Sequence, residues 1–396
     1  MVSTRRNKYN QASQGDEQEG HEHPLVERRR RWSTLLRTHH YQPVIAEVLA
    51  GELLKYSNST LTLPTSLSST IQECVLILAS APLIFAAAVD GTLAGRFLTD
   101  SDLRHEYAAI QERAHIQPSI YIHLLVDEQG VAPTANQYLA IRDVVLRYIS
   151  AHPQRQDTEL AWLIDNVSSP AVARSASASG HRKYLWTRHR SPQHEATLLR
   201  FCHGILERWT QTPQSQRDVP FAYPPGECGY SINSHIRLAQ HRHRQSSNYV
   251  MNLTEDICSY LHASKQFTQL FRMHQFIIYL IFRPQQAAIA EIFCSGLLQV
   301  WIEDGGGFNA YPAGRSVASA TRVSHVEWKT HEEWASKHTR LIENVRLQRE
   351  RLENDVLELE KEMEELWREA LEDEAGGDGD DVKDLDYVPE AGGEED

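Results

Sequence analysis

Gln275 to Arg283 reads QFIIYLIFR, a run of β-branched and aromatic residues with no polar alternation. A strand of that kind hides both of its faces, so the sheet that holds it must be covered on both sides. Two shorter strand-like segments share the chain with it. Ser119–Val126 (SIYIHLLV) ends at the turn signal Asp127-Glu128-Gln129-Gly130, and a region over 220–232 follows Pro224-Pro225-Gly226. The long stretches between them carry helical periodicity. Thr134 is placed to cap a helix over 133–149 that shows Tyr138, Ile141, Val144, Val145 and Tyr148 on one face. Further helices are expected over 234–244, over 247–262, and over 287–302 behind Pro284. The fold class expected is α+β, a small antiparallel sheet flanked by helices.

The outer parts of the chain differ from this centre. Residues 1–31 are polar, end in four arginines (Arg28 to Arg31) and read as a disordered basic arm. That run suits a nuclear import signal, a nucleic-acid contact or a solvated patch. Residues 32–117 read as a helical region broken by a Ser/Thr/Pro loop near 61–69. From Trp334 a heptad pattern sets Ile342, Arg349, Val356, Met363 and Ala370 at a, and Val345, Leu352, Leu359 and Leu366 at d. Such a seam predicts a coiled coil over 334–371 and a homodimer, or else a long helix lying on its own body. The tail, 372–396, reads as disordered. Between Glu369 and Asp396 stand thirteen acidic residues and one lysine, −12 of the net −13. The body is therefore close to neutral, and the acidic total does not exclude an anionic ligand.

Five cysteines are scattered without zinc-finger spacing and read as buried free thiols of a reducing compartment. Cys74 to Val89 is apolar but short and interrupted by Pro82, which suits a buried helix pair better than a bilayer span. No membrane association is expected, and the localisation expected is nuclear or cytoplasmic.

The chemistry concentrates in Cys228-Gly229-Tyr230-Ser231-Ile232-Asn233-Ser234-His235-Ile236-Arg237-Leu238-Ala239-Gln240-His241. A strand end runs into a helix with Arg237 and His241 one turn apart on one face, a spacing that can hold a phosphate. Arg242, Arg244 and the interleaved histidines beside Ser246, Ser247, Asn248 and Tyr249 form a basic stripe suited to nucleic acid. Glu291 lies in an apolar helix, where a carboxylate needs a partner, and Asn309 follows a glycine-rich loop. Each residue also has a plain structural reading: Arg237 paired with Glu255, His241 on a solvated face, Tyr121 in a core, Asn309 in a turn. A phosphate loop, a GxGxxG fingerprint and a GxSxG elbow do not occur.

This segment resembles the second motif and following helix of the GIY-YIG nucleases, with Gly229, Ser231, Arg237 and His241 at the family offsets. The later strand, Glu291 and Asn309 then follow in family order, over about 220–316. Two departures stand out. Glu227 occupies the place of the motif tyrosine, and the first motif is best matched by Ser119-Ile120-Tyr121, far upstream. The resemblance thus implies a GIY-YIG-like domain over 118–317 with an insertion at about 128–218. It implies metal-dependent hydrolysis of a nucleic-acid phosphodiester, or nucleic-acid binding by a degenerate site. In the first case Tyr121 activates water, Arg237 and His241 bind the phosphate, Glu291 holds Mg²⁺ and Asn309 pins its loop. Glu227 then sets a negative charge near the phosphate or serves as a second metal ligand. The alternative is an interaction or scaffold protein acting through the coiled coil and acidic tail.

Overall fold

The computed structural model describes residues 23–56, 66–185, 190–245, 247–314 and 317–376. Its centre is an antiparallel sheet of three strands, β1 (Ser119–Val126), β2 (Gly226–Ser231) and β3 (Arg272–Leu280), in the order β2-β1-β3. All eight residues of β1 are buried, as a central strand with both faces covered requires. The mixed α and β class and the small sheet agree with the sequence reading.

Among the described residues six α-helices precede the sheet: α1 (Pro24–Arg37), α2 (Tyr41–Leu53), α3 (Leu67–Ala79), α4 (Leu83–Val89), α5 (Leu93–Thr99) and α6 (Ser101–Arg113). Ile120, Ile122, Leu124 and Val126 join Val44, Ile77, Phe85 and Tyr107 of this layer in one core. The apolar run 74–89 is the bent, buried pair α3 and α4, and no single helix of the described residues is long and apolar enough to cross a membrane. All five cysteines are free and buried.

The expected disordered arm is corrected in part. Residues 1–22 lie outside the described residues, but 24–31 are the first turns of α1, opened by Pro24 and capped by His23. Arg28, Arg30 and Arg31 are exposed on this helix, and Arg29 alone of the four is taken inside. Arg29 is buried; its guanidinium donates to the carbonyls of Ala88 and Val89 and stands 4.1 Å over the Tyr223 ring.

Between β1 and β2, where the resemblance implies an insertion, stand α7 (Ala135–Tyr148), α8 (Arg155–Asp165), the short α9 (Arg174–Ala178) and α10 (Pro192–Gln211). These helices enter a second core that also takes in Leu125 of β1 and Met273 of β3. Tyr138, Ile141, Val145, Leu160, Ile164, Phe201 and Ile205 pack together with Ile257 and Leu261 from a later helix. Thr134 and Gln137 close a reciprocal capping box at the start of α7, and all five residues of its expected apolar face are buried.

After β2 come α11 (Ser234–Arg242) and α12 (Tyr249–Ala263); after β3 come α13 (Gln286–Leu298) and α14 (His325–His338). The expected helix to 302 stops at Leu298, because Gln299 takes the left-handed conformation (φ 53°) and returns its N–H to the helix end. Pro284 sits in the turn before α13 rather than at its first position. Past Gln299 the glycine-rich loop folds against β2: Phe308 N donates to Gly226 O at 2.8 Å and Gly226 N to Gly306 O at 3.2 Å.

The chain divides into two units, Met1–Val345 and Arg346–Asp396. The heptad helix α15 (Leu341–Gly376) starts seven residues later than expected, since α14 ends at His338. In the second unit Leu352, Val356, Leu359, Met363 and Leu366 are exposed. Of the acidic tail, 377–396 lie outside the described residues.

A Cβ on Gly307 would stand 1.9 Å from Gly226 O and 2.7 Å from Val300 O, backbone atoms with no freedom to yield. Gly307→Ala is expected to lower stability by about 1–3 kcal/mol, and a thermal melt equal to wild type would contradict this account of the loop.

Candidate functional site

Antiparallel pairing sets Tyr121 opposite Gly229 and His123 opposite Glu227, so the two separated motifs meet in one pair of strands. Tyr121 and His123 point to the same face, two residues apart on β1. Gly229 is required by this crossing: a Cβ there would lie 2.5 Å from the Tyr121 hydroxyl, whose ring runs across it.

Helix α11 packs over that face, its start capped by Asn233, whose side chain accepts from Ile236 N. Arg237 Nε donates to the Tyr121 hydroxyl at 3.3 Å, and His241 Nε2 lies 3.4 Å from the same oxygen. The suggested pair Arg237–Glu255 is not formed. Glu255 binds Arg244 at 2.5 Å and Arg272 at 3.6 Å, and Arg244 also meets Asp256. Among the described residues Arg237 makes no ion pair, so its guanidinium tips face the cleft uncommitted.

Burial works against the Arg237 cation, but the Tyr121 contact and the Glu227 and Glu291 charges hold its pKa above the usual value. His241 is the reverse case. Burial pushes it down to about 3; Glu227 opposes the shift, and His123 and Arg237 add to it. It is buried, behind Tyr121 rather than on the cleft wall, so it is a neutral hydrogen-bond partner and not the phosphate-neutralising cation expected of it. Burial, with the Glu227 charge, drives the Tyr121 hydroxyl well above its ordinary range.

The basic stripe thins in the same way. Arg244 is spent on Glu255 and Asp256, Arg242 is exposed and donates to Gln275 at 2.9 Å, and Ser246 lies outside the described residues.

Across the cleft stands Glu291 of α13. Its two oxygens accept from Tyr230 N at 3.4 Å and Gly314 N at 2.6 Å. Burial raises its pKa to about 7, the two backbone donors hold it down in part, and Glu227 adds to the rise. Asn309 does pin its loop. Its side chain pairs with both backbone atoms of Cys228, at 3.1 and 3.0 Å, and reaches Ser295 at 3.4 Å. The cleft so formed measures about 580 Å³ and also touches Ser247, Asn248, Tyr249 and Tyr311.

No protein-family model, curated protein or solved structure matches this chain.

The sequence reading missed His123. Its Nδ1 lies 2.7 Å from Glu227 Oε2, and its ring stands 4.5 Å from that of His241. The signal was there: once Tyr121 faces Gly229, antiparallel counting sets 123 against 227. Burial opposes the Glu227 carboxylate, but the His123 hydrogen bond and the His123, His241 and Arg237 charges carry its pKa below the usual value.

Among the described residues no three His, Cys, Asp or Glu side chains gather as a ligand set. The donors present fit Mg²⁺ nonetheless, which takes one or two carboxylates and keeps its waters. Glu227 and Glu291 line a cleft in which Arg237 is the one cation among the described residues, and burial above all raises the Glu291 pKa.

A carboxyl raised from 4.5 to about 7 binds its proton more tightly in the folded state, so its contribution to stability is full at acid pH and falls as pH rises between those values. Glu291→Gln should therefore gain on wild type from pH 5 to pH 8 by up to about 3 kcal/mol. Denaturant midpoints that run parallel across that range would refute the assignment.

Proposed function

We propose that this cleft binds and hydrolyses a phosphodiester of nucleic acid with the help of Mg²⁺, in a divergent GIY-YIG-like arrangement. One observation carries the reading: Tyr121, the uncommitted Arg237 and Glu291 line the same cleft, although the first and the last stand 170 positions apart in the chain. Arg237 would take two phosphate oxygens through its free guanidinium nitrogens. Tyr121 offers its oxygen to an attacking water while Arg237 Nε orients the ring. Glu291, with Glu227 beside it, would hold the cation, which supplies charge neutralisation on the phosphate. Asn309 keeps the backbone of β2 in place.

Charge balance favours a cation-dependent site. With both carboxylates ionised against one arginine the cleft is net negative and repels a phosphate; a divalent ion reverses that sign.

Purified full-length protein is to be assayed on branched, single-stranded and duplex DNA and RNA with Mg²⁺ or EDTA, beside Arg237→Ala and Glu291→Ala. Cleavage should require Mg²⁺ and drop by about 100-fold or more in each variant, the range for loss of a group that stabilises charge in the transition state. Cleavage undiminished in EDTA, or no cleavage of any substrate, overturns the reading.

A second reading concerns the other unit. We propose that α15 pairs with the same helix of a second copy, because its a and d residues from Leu352 to Leu366 are all exposed. Light scattering at micromolar concentration should give twice the chain mass, and Val356→Lys with Met363→Lys should halve it. A monomer in the wild type ends this proposal without touching the first.

A further inference from the structure

Strand β3 forms the edge of the sheet opposite β2, and a cavity lies against its end, where α4 and α6 meet α14. It measures about 720 Å³, a size that encloses a small molecule. Apolar groups make up much of its wall: Pro82 and Leu83 at the start of α4, Ile110 of α6, Leu280 of β3 and the Trp334 ring of α14.

Arg113, the last residue of α6, is set half-buried in this wall. Its Nε donates to the Gln117 side chain, its Nη2 donates to His331 Nδ1 at 3.1 Å, and its guanidinium lies 5.1 Å from the centre of the Trp334 ring. All three partners are neutral. His331 is so because burial, with the Arg113 charge, presses its pKa down to about 4. Among the described residues Arg113 makes no ion pair and its Nη1 no hydrogen bond. Burial lowers its pKa, and no carboxylate offsets that shift. The other charged groups of the wall are engaged or open to water. Glu106 accepts from Leu83 N at 2.6 Å, Arg340 pairs with Glu343 at 3.0 Å, and Glu112 is exposed. A partly desolvated cation is therefore left without a counter-ion beside an apolar enclosure.

We propose that this cavity binds an amphipathic monocarboxylate, with its carboxylate on Arg113 and its apolar body along Pro82, Ile110 and Leu280. One uncompensated cation calls for one negative charge. The outer edge of a planar guanidinium matches a carboxylate with two parallel hydrogen bonds. A phosphate dianion would bring a second charge near Glu106 and Glu112 that nothing on the wall balances. The apolar wall favours a chain or ring acid over acetate, since each buried methylene adds to affinity. This site is independent of the hydrolytic reading, for none of its lining residues touches the cleft.

The test is calorimetric titration of the intact protein with decanoate, decanol and acetate, below the concentration at which micelles form. Decanoate should bind at one site per chain, and decanol and acetate each more weakly by about 10-fold or more. Arg113→Gln should weaken decanoate by about 10-fold or more and leave decanol unchanged. If Arg113 serves only to tie α6 to α14, its loss moves both ligands together, which counts against the proposal. Ala109→Trp, at an exposed position on the cavity wall, keeps Arg113 and should block decanoate and decanol alike. A thermal melt of each variant shows that it is folded, and Ala109→Trp decides where Arg113→Gln is not. Decanoate that binds no better than decanol, binds in several copies per chain, survives either folded variant or fails to bind the wild type overturns the proposal. Cleavage of nucleic acid, present or absent, leaves it untouched.

Discussion

The pairing of Tyr121 with Gly229 is the contact on which the rest of the site depends. It joins two segments that the sequence separates by more than a hundred residues, and it fixes the register in which every other group is placed. A slip of one residue would turn Tyr121 and His123 to the opposite face and break the match with Glu227. The glycine is what permits the register, since a tyrosine ring lies where any side chain would project. From this one crossing follow the position of Arg237 on Tyr121, the tilted packing of the His241 ring against His123, and the engagement of Glu227.

Much of the scaffold could be read from residue order because it rests on local rules. The capping box at Thr134, the apolar run of β3 ending at Leu280 and the kinked pair around Pro82 each declare themselves in a few residues. What could not be read rests on contacts made at distance. Arg29 looks like one of four equivalent surface cations, yet a pair of carbonyls at 88 and 89 and a ring at 223 take it inside. Arg244 looks like part of a basic stripe until Glu255 and Asp256 of α12 turn back on it. The sign of charge along a segment is legible; whether that charge is spent is decided by partners elsewhere.

The candidate site divides along the same line. Tyr121, Arg237, Glu291 and Asn309 do meet around one cleft. His241 belongs to the same cluster but at its back, where burial makes it neutral. A histidine four residues from an arginine on a helix reads as a second phosphate ligand; only the depth of the β1 face shows that it supports the tyrosine instead. Glu227, the apparent defect in the motif, has a partner, and that partner was hidden because His123 is inconspicuous inside a strand.

The second core, which joins the inserted helices to α12 and to Leu125 of β1, bears on how the chain reaches this state. Closing a loop of roughly a hundred residues costs several times RT in entropy if the loop is a flexible coil. Here Tyr138, Ile164 and Phe201 gather into a compact body whose ends are already close. A folded body of this kind shortens the gap across which β1 and β2 pair. A folded insert therefore lowers the entropy cost of bringing Tyr121 opposite Gly229, and loosening it would raise that cost.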